Sequence, residues 1–213
     1  PDEPTVHPNV IPSIAHWRIA ADPFHPIAAP ERISPPNALY RDAIEGWDEI
    51  AQNLIAREYW TAPRADPLLK SGVAPILFED IPYYHQHGFM ACNSEANIAW
   101  GNLAINHYVA ARLMWDVDTD PQELLNDFFA KYYGEAAEPM RAYFTRIWEV
   151  AYKHYLPEQM AVPVDDKDIA FLAERLGEAE AAVAGDDLRA ARVQMATDLF
   201  ETWRMRRALM DGD

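Results

Sequence analysis

The distribution of proline places the strongest constraint on how this chain folds. Most of its 17 prolines lie before Asp118, where apolar segments are short and mixed. After Thr119 the sequence is Ala-rich, and its apolar residues recur at helical spacing. Proline removes a backbone donor and interrupts helices and central strands, so the first part should hold short elements joined by loops. We therefore predict two regions, residues 1–118 and residues 119–213.

The first region alternates between strand-like and helix-like segments. The strand-like segments are residues 10–17, 53–60 and 89–95, and each precedes a helix-like stretch. Such alternation predicts a parallel sheet covered by helices. Long loops after the strands also fit a barrel whose site lies at the carboxyl ends of its strands. Three strands cannot close a barrel of eight, so the segment is either part of one or a small open sheet.

The second region contains helices only. Asp120 and Pro121 predict an N-cap followed by a first helical residue. Further helices are predicted over residues 136–155, 165–183 and 187–209, the last two as an antiparallel pair.

Composition excludes several classes of function. Acidic residues outnumber basic ones by 34 to 18, and the formal charge of −16 disfavours both nucleic acid and anionic membranes as partners. No apolar run is long enough for membrane insertion. Cys92 is the single cysteine, which rules out an internal disulfide and a thiolate zinc site, and an inert buried thiol is expected. We expect no cofactor and no metal, because glycine-rich phosphate loops and HExxH are absent and His85 and His87 are not spaced as a helical metal pair.

Two glutamates at predicted strand ends are the candidate catalytic residues. Glu58 precedes Tyr59 and Trp60, whose rings could stack on sugars while the carboxylate bonds hydroxyls or transfers protons. Glu95 follows the next strand, so the two carboxylates could face one another, as glycosidic bond cleavage requires. Each has a structural alternative. Glu58 could pair with a neighbouring arginine, and Glu95 could stabilise the start of a helix.

Further polar and aromatic residues are candidate substrate contacts. Asn93 and Asn97 flank Glu95 and could bind sugar hydroxyls or cap the following helix. His16, Trp17 and Arg18 end the first strand, where a ring and a guanidinium could hold a sugar and a carboxylate such as that of a uronic acid. Arg18 could equally pair with one of the many nearby acids.

A run across the regional boundary resembles a known family. The run reads YVAARLMWD, then DP, LLNDF and KYYGEAA, over residues 108–137, with Trp100 upstream. It resembles an uncharacterised bacterial family of alpha-glucuronidase-like barrel proteins that occur with polysaccharide-degrading systems. Arg18, Asn37, Trp47 and the segment at residues 58–60 follow in the order expected of the carboxyl-terminal half of such a barrel.

The resemblance implies a fold and a function. The fold would be α/β, the C-terminal part of a TIM-type (β/α)8 barrel over residues 1–118, followed by an all-helical extension. The chain would be a piece of a longer or processed protein, periplasmic or secreted, although no signal-peptide pattern is present. The function would be glycoside-hydrolase-like, acting on polysaccharide or oligosaccharide, and no catalytic residue is carried over from the family. The alternatives are a carbohydrate-binding barrel without catalysis and a helical interaction module. The oligomeric state does not follow from the sequence.

Overall fold

Three parallel strands form the only sheet in the part of the chain that the structure describes. The computed structural model describes residues 5–16, 24–28, 34–60, 68–95, 103–154 and 164–211. The strands are β1 (Ser13–Ala15), β2 (Leu54–Glu58) and β3 (Phe89–Ser94). Their order is β1-β2-β3, and both pairings are parallel. The predicted parallel sheet is confirmed, with strands shorter than the predicted segments.

Seven α-helices account for most of the remaining described residues. They are α1 (Pro35–Asp48), α2 (Ala74–Gln86), α3 (Ala104–Trp115), α4 (Pro121–Tyr133), α5 (Ala137–His154), α6 (Asp166–Ala182) and α7 (Asp187–Asp211). Two 3₁₀ turns, Leu69–Val73 and Gly134–Ala136, lead into α2 and α5. None of these helices combines the length and apolar character that crossing a membrane requires.

Helices α1 and α2 pack on one face of the sheet. Alternate residues of β2 are buried, namely Leu54, Ala56 and Glu58. Because successive side chains of a strand point to opposite faces, these three share one face. The apolar residues of that face form a cluster with Ile44 of α1 and Tyr84 of α2. The polar Glu58 at the end of the same row therefore points toward the two helices.

Helix α1 begins with two prolines, Pro35 and Pro36. They occupy the first turn, where a backbone N–H has no partner within the helix and proline is tolerated. Asn37, the next residue, lies on the buried side of the helix.

Aspartates cap two of the carboxyl-terminal helices, and the cap at Asp120 is the one that the sequence predicts. The Asp120 side chain accepts a hydrogen bond from the backbone N–H of Glu123 at 2.8 Å. Asp165 accepts one from Asp168 N–H, also at 2.8 Å, at the start of α6. One hydrophobic cluster runs from Phe24 to Trp203 and includes residues of α2 to α7. This core crosses residues 118 and 119, and the predicted division there stays a prediction.

The predicted barrel is wrong. The described residues contain three strands of three to six residues, arranged as an open sheet. A (β/α)8 barrel closes through eight tilted strands, each followed by a helix. After Ser94 every described regular element is helical. The protein is therefore a mainly helical α/β structure with a small parallel sheet.

Replacing two glycines by alanine should change the free energy of unfolding in opposite directions. Gly134 has φ 57° and ψ −120°, a conformation that disfavours residues with a side chain, and an added Cβ would lie 2.2 Å from Arg189 Nε. We expect Gly134→Ala to lower the free energy of unfolding by about 1–3 kcal/mol. Gly177 lies within α6 with open space around it, and Gly177→Ala should raise the free energy of unfolding by about 0.5–1 kcal/mol. Urea unfolding of both variants tests this, and a stabilised Gly134→Ala protein would contradict it.

Candidate active site

Two polar side chains meet at the carboxyl edge of the sheet. Glu58 is the last residue of β2, and His16 directly follows β1. Because the strands are adjacent and parallel, their ends lie at the same edge, where ligands of parallel sheets bind. His16 Nδ1 lies 3.4 Å from Glu58 Oε2. The side chain of Glu58 is 5% exposed and that of His16 is 12% exposed, so the pair is largely shielded from water.

Hydrogen-bond donors surround the Glu58 carboxylate. The Tyr84 hydroxyl donates to Oε1 in a short hydrogen bond. The backbone N–H of Tyr59 lies 3.3 Å from Oε2, which His16 also approaches. A buried carboxylate is costly unless it is paired and hydrogen-bonded. These three donors satisfy the oxygens of the Glu58 carboxylate.

The partners of His16 define the protonation state of its ring. Asn37 Nδ2 donates to the carbonyl of His25 at 2.7 Å, which turns Asn37 Oδ1 toward His16 Nε2 at 3.1 Å. Both His16 nitrogens therefore face oxygens that only accept, one from Asn37 and one from Glu58. A neutral imidazole can donate from one nitrogen only, so this arrangement requires the imidazolium. The ring also stacks on Tyr40 at 4.2 Å between centroids.

Electrostatics agree with a charged His16. Burial lowers the pKa of His16, but the charge of Glu58 and the hydrogen bonds to Glu58 and Asn37 outweigh burial, so the pKa lies above its ordinary value of 6.5. The folded protein thus holds this proton more tightly than the unfolded chain does. The stabilisation from this pKa shift is fully present below pH 6.5 and is lost as the pH rises through the folded pKa.

Asp80 is a second buried carboxyl beside this pair. Its Oδ1 accepts hydrogen bonds from the backbone N–H of Ile27 at 2.8 Å and of Ala28 at 3.4 Å. Burial, with a smaller contribution from the negative charge of Glu58, raises the pKa of Asp80 to about 8 against the opposing hydrogen bond from Ile27. Asp80 is therefore a protonated acid at neutral pH.

The other predicted catalytic residue points away from Glu58. Glu95 Oε1 lies 2.5 Å from a terminal nitrogen of Arg57, and Arg57 precedes Glu58 in β2. Arg57 also lies 3.5 Å from Asn93 Oδ1 and 3.3 Å from the Tyr59 hydroxyl. These four residues form a half-exposed polar surface on the sheet face opposite Glu58. The structure thus places both glutamates at the same edge but on opposite faces.

The remaining predicted contacts divide between the core and residues outside the described set. Trp60 is 7% exposed and belongs to the larger hydrophobic cluster, so its ring fills the core. Its backbone carbonyl accepts a hydrogen bond from Asn106 Nδ2 at 3.0 Å. Trp17, Arg18 and Asn97 lie outside the described residues, and their predicted roles stay predictions.

Three site residues escaped the sequence analysis because they lie within helices. Asn37, Asp80 and Tyr84 come from α1 and α2 and are buried. Each is a polar residue at a position that helical spacing assigns to the buried side. A polar side chain in an apolar stripe is the signal that could have identified them.

Cys92, His85 and His87 take no part in the described network around Glu58. Burial, and then the charge of Glu58, raise the pKa of the Cys92 thiol, which favours the unreactive thiol form. His87 Nδ1 lies 2.8 Å from Asp48 Oδ2 at the surface. Within the described ranges, no three His, Cys, Asp or Glu side chains are placed to hold a metal ion.

The family is shown by comparison with known families. A family model described as a domain of unknown function, DUF4838, matches residues 1–145. The chain belongs to the DUF4838 family. Neither curated proteins nor solved structures provide a match. The matched segment contains Glu58, His16, Asn37, Asp80 and Tyr84, so the network lies within the DUF4838 domain. The predicted kinship with glycoside hydrolases stays a prediction.

The raised pKa of Asp80 predicts a specific pH dependence of stability. Between its ordinary pKa of 3.8 and about 8, the folded protein keeps a proton that the unfolded chain releases, so this group destabilises the fold increasingly as pH rises. Asp80→Asn keeps the acceptor for Ile27 and Ala28 but cannot ionise. Its melting temperature should rise relative to wild type as the pH increases through this range.

Asp80→Ala is the matched control. It removes the acceptor of two backbone N–H groups and, like Asp80→Asn, cannot ionise, so it should be less stable than Asp80→Asn at every pH, by about 1–3 kcal/mol. Thermal unfolding followed by circular dichroism measures all three proteins. A difference between Asp80→Asn and wild type that is independent of pH would contradict the assigned protonation state.

Proposed function

We propose that this DUF4838 protein is a carbohydrate-active enzyme that cleaves glycosidic bonds by carboxyl acid–base chemistry. The observation that carries the proposal is the pair of buried carboxyls in different environments, Glu58 among hydrogen-bond donors and Asp80 with a raised pKa. Two carboxyl groups in different states are what glycoside hydrolysis needs. That the substrate is a carbohydrate rests on the resemblance of residues 100–137 to the alpha-glucuronidase-like family.

Glu58 has the environment of a nucleophile or a stabiliser of positive charge. His16, Tyr84 and the Tyr59 N–H donate to its oxygens and fix the position of the carboxylate. A glycosyl centre becomes positively charged in the transition state, and a fixed carboxylate beside it lowers the barrier. His16 and Asn37 act here as positioning residues, because they hold the carboxylate rather than the substrate.

Asp80 has the environment of a proton donor. Its pKa of about 8 keeps the carboxylic acid protonated at neutral pH. Because Ile27 and Ala28 hold Oδ1, the proton resides on Oδ2, where it can be given to a leaving oxygen. In this proposal Asp80 takes the acid role that the sequence analysis assigned to the Glu58 and Glu95 pair.

A carbohydrate-binding protein without catalysis is the second candidate. It is favoured by the low exposure of the two residues, which as whole residues are 4% exposed for Glu58 and 7% exposed for Asp80. Side chains this enclosed can serve to hold loop residues 24–28 and the strand ends in place. Binding of oligosaccharides without the release of new reducing ends would identify this function.

The test compares two glutamate variants on one panel of oligosaccharides. The panel contains neutral and uronic-acid-containing oligosaccharides, and new reducing ends are measured. We expect Glu58→Gln to lose at least about 100-fold in turnover, because it removes the charge that the site is built to hold. Glu95→Gln should stay within about threefold of wild type, because Glu95 pairs with Arg57 on the opposite face.

Folding of both variants is checked by circular dichroism and thermal unfolding. A folded Glu58→Gln protein with wild-type turnover would exclude Glu58 from the chemistry. Loss of turnover in Glu95→Gln with retention in Glu58→Gln would move the site to the opposite face of the sheet.

A further inference from the structure

A surface groove lies between the end of α5, the start of α6 and loop residues 24–28. We name it the α5–α6 groove and define it by His25, Arg146, Tyr152, Lys153 and Lys167, which line it. Four of these five residues follow residue 145, so they lie outside the segment that matches the DUF4838 model. The groove is therefore a feature of the carboxyl-terminal helices of this chain.

The charges of the groove leave two ammonium groups open to a ligand. Arg146 pairs with Glu149 at 3.2 Å and with Asp168 at 3.5 Å. The third carboxylate, Asp165, accepts the backbone N–H that caps α6.

The two lysines differ from Arg146 and Asp165, which have partners within the protein. Among the described residues, Lys153 and Lys167 form no ion pair. The chain has 34 acids, so two exposed lysines in one groove that pair with no acid of the described ranges indicate a site for an anion that comes from outside.

An exposed tyrosine in the groove favours a ligand that contains a sugar ring. Tyr152 is 39% exposed, and its ring centroid lies 5.0 Å from that of His25. Sugar rings present apolar C–H faces that stack on aromatic side chains, while charged groups bind the substituents. Cations beside an exposed tyrosine suit a sugar that carries a negative charge better than a neutral sugar or a bare anion.

The groove is connected to the candidate active site through hydrogen bonds. The His25 carbonyl accepts from Asn37 Nδ2 at 2.7 Å, and Asn37 Oδ1 lies 3.1 Å from His16 Nε2. His16 in turn pairs with Glu58. Three contacts therefore join a residue of the groove wall to the charged carboxylate.

We propose that the α5–α6 groove binds an acidic sugar residue, with its anionic group at Lys153 and Lys167 and its ring against Tyr152. The saccharide nature of the ligand rests on the proposed function, whereas the anionic nature rests on the groove itself. The anionic group is a carboxylate or a sulfate, which share the chemistry that the lysines recognise.

The test measures binding in the Glu58→Gln background by isothermal titration calorimetry, so that cleavage does not enter. The probes are a disaccharide that ends in glucuronic acid, its counterpart that ends in glucose 6-sulfate, its neutral counterpart that ends in glucose, and inorganic phosphate. We expect Lys153→Gln with Lys167→Gln to weaken binding of at least one acidic disaccharide by about tenfold or more. The acidic probe that loses more affinity identifies the anionic group.

A control variant matches the change in charge. Lys131→Gln with Arg206→Gln also removes two exposed positive charges, on α4 and α7, and should leave binding within about twofold. Retained binding of both acidic disaccharides by the Lys153 and Lys167 variant would overturn the groove proposal while leaving the proposed function intact. Equally tight binding of the neutral disaccharide or of phosphate would overturn the acidic-sugar assignment. Lysine-dependent binding without any cleavage by wild type would support the groove and overturn the proposed hydrolysis.

Discussion

A negative charge buried under the parallel sheet organises this structure. Glu58 is enclosed at the end of β2, and its carboxylate is tolerated because His16 and Tyr84 surround it with donors. These donors come from the end of β1 and from α2. Asn37 from α1 then fixes the His16 ring. The first two strands and both covering helices therefore contribute to the environment of one charged group, which ties their relative positions together.

The same arrangement separates the protonation states of two carboxyls. Glu58 has charged and hydrogen-bonding donors, whereas Asp80 has backbone donors on one oxygen and is otherwise enclosed. The negative charge of Glu58 disfavours ionisation of Asp80. Pairs of carboxyls with different pKa values are frequent at active sites, and they also occur in structural networks. The hydrogen-bonded path from Glu58 through His16 and Asn37 to His25 extends this network to the α5–α6 groove.

The sequence predicts the strands and a helix cap more completely than it predicts the residues of the candidate active site. The three strand segments and the cap at Asp120 are predicted by apolar runs and by short-range hydrogen bonding. The sheet face to which each glutamate points is not predicted by these patterns, because it depends on the register between the strands. Glu58 pairs with Ser94, so Glu95 lies one residue further and points to the opposite face. Asn37, Asp80 and Tyr84 are also missed, since only tertiary packing brings helix residues to a strand end. The barrel was inferred from resemblance, and the open three-stranded sheet replaces it.

The protonation state of His16 is the most direct test of this account. Long-range ¹H–¹⁵N correlation NMR of the histidine rings, assigned with a His16→Gln variant, reports whether each ring nitrogen carries a proton. We predict that both His16 nitrogens are protonated at pH 6.5, that the ring loses a proton only at higher pH, and that Glu58→Gln lowers its pKa. A neutral His16 ring with one protonated nitrogen at pH 6.5, or a titration unaffected by Glu58→Gln, would contradict the buried ion pair on which the proposed site depends.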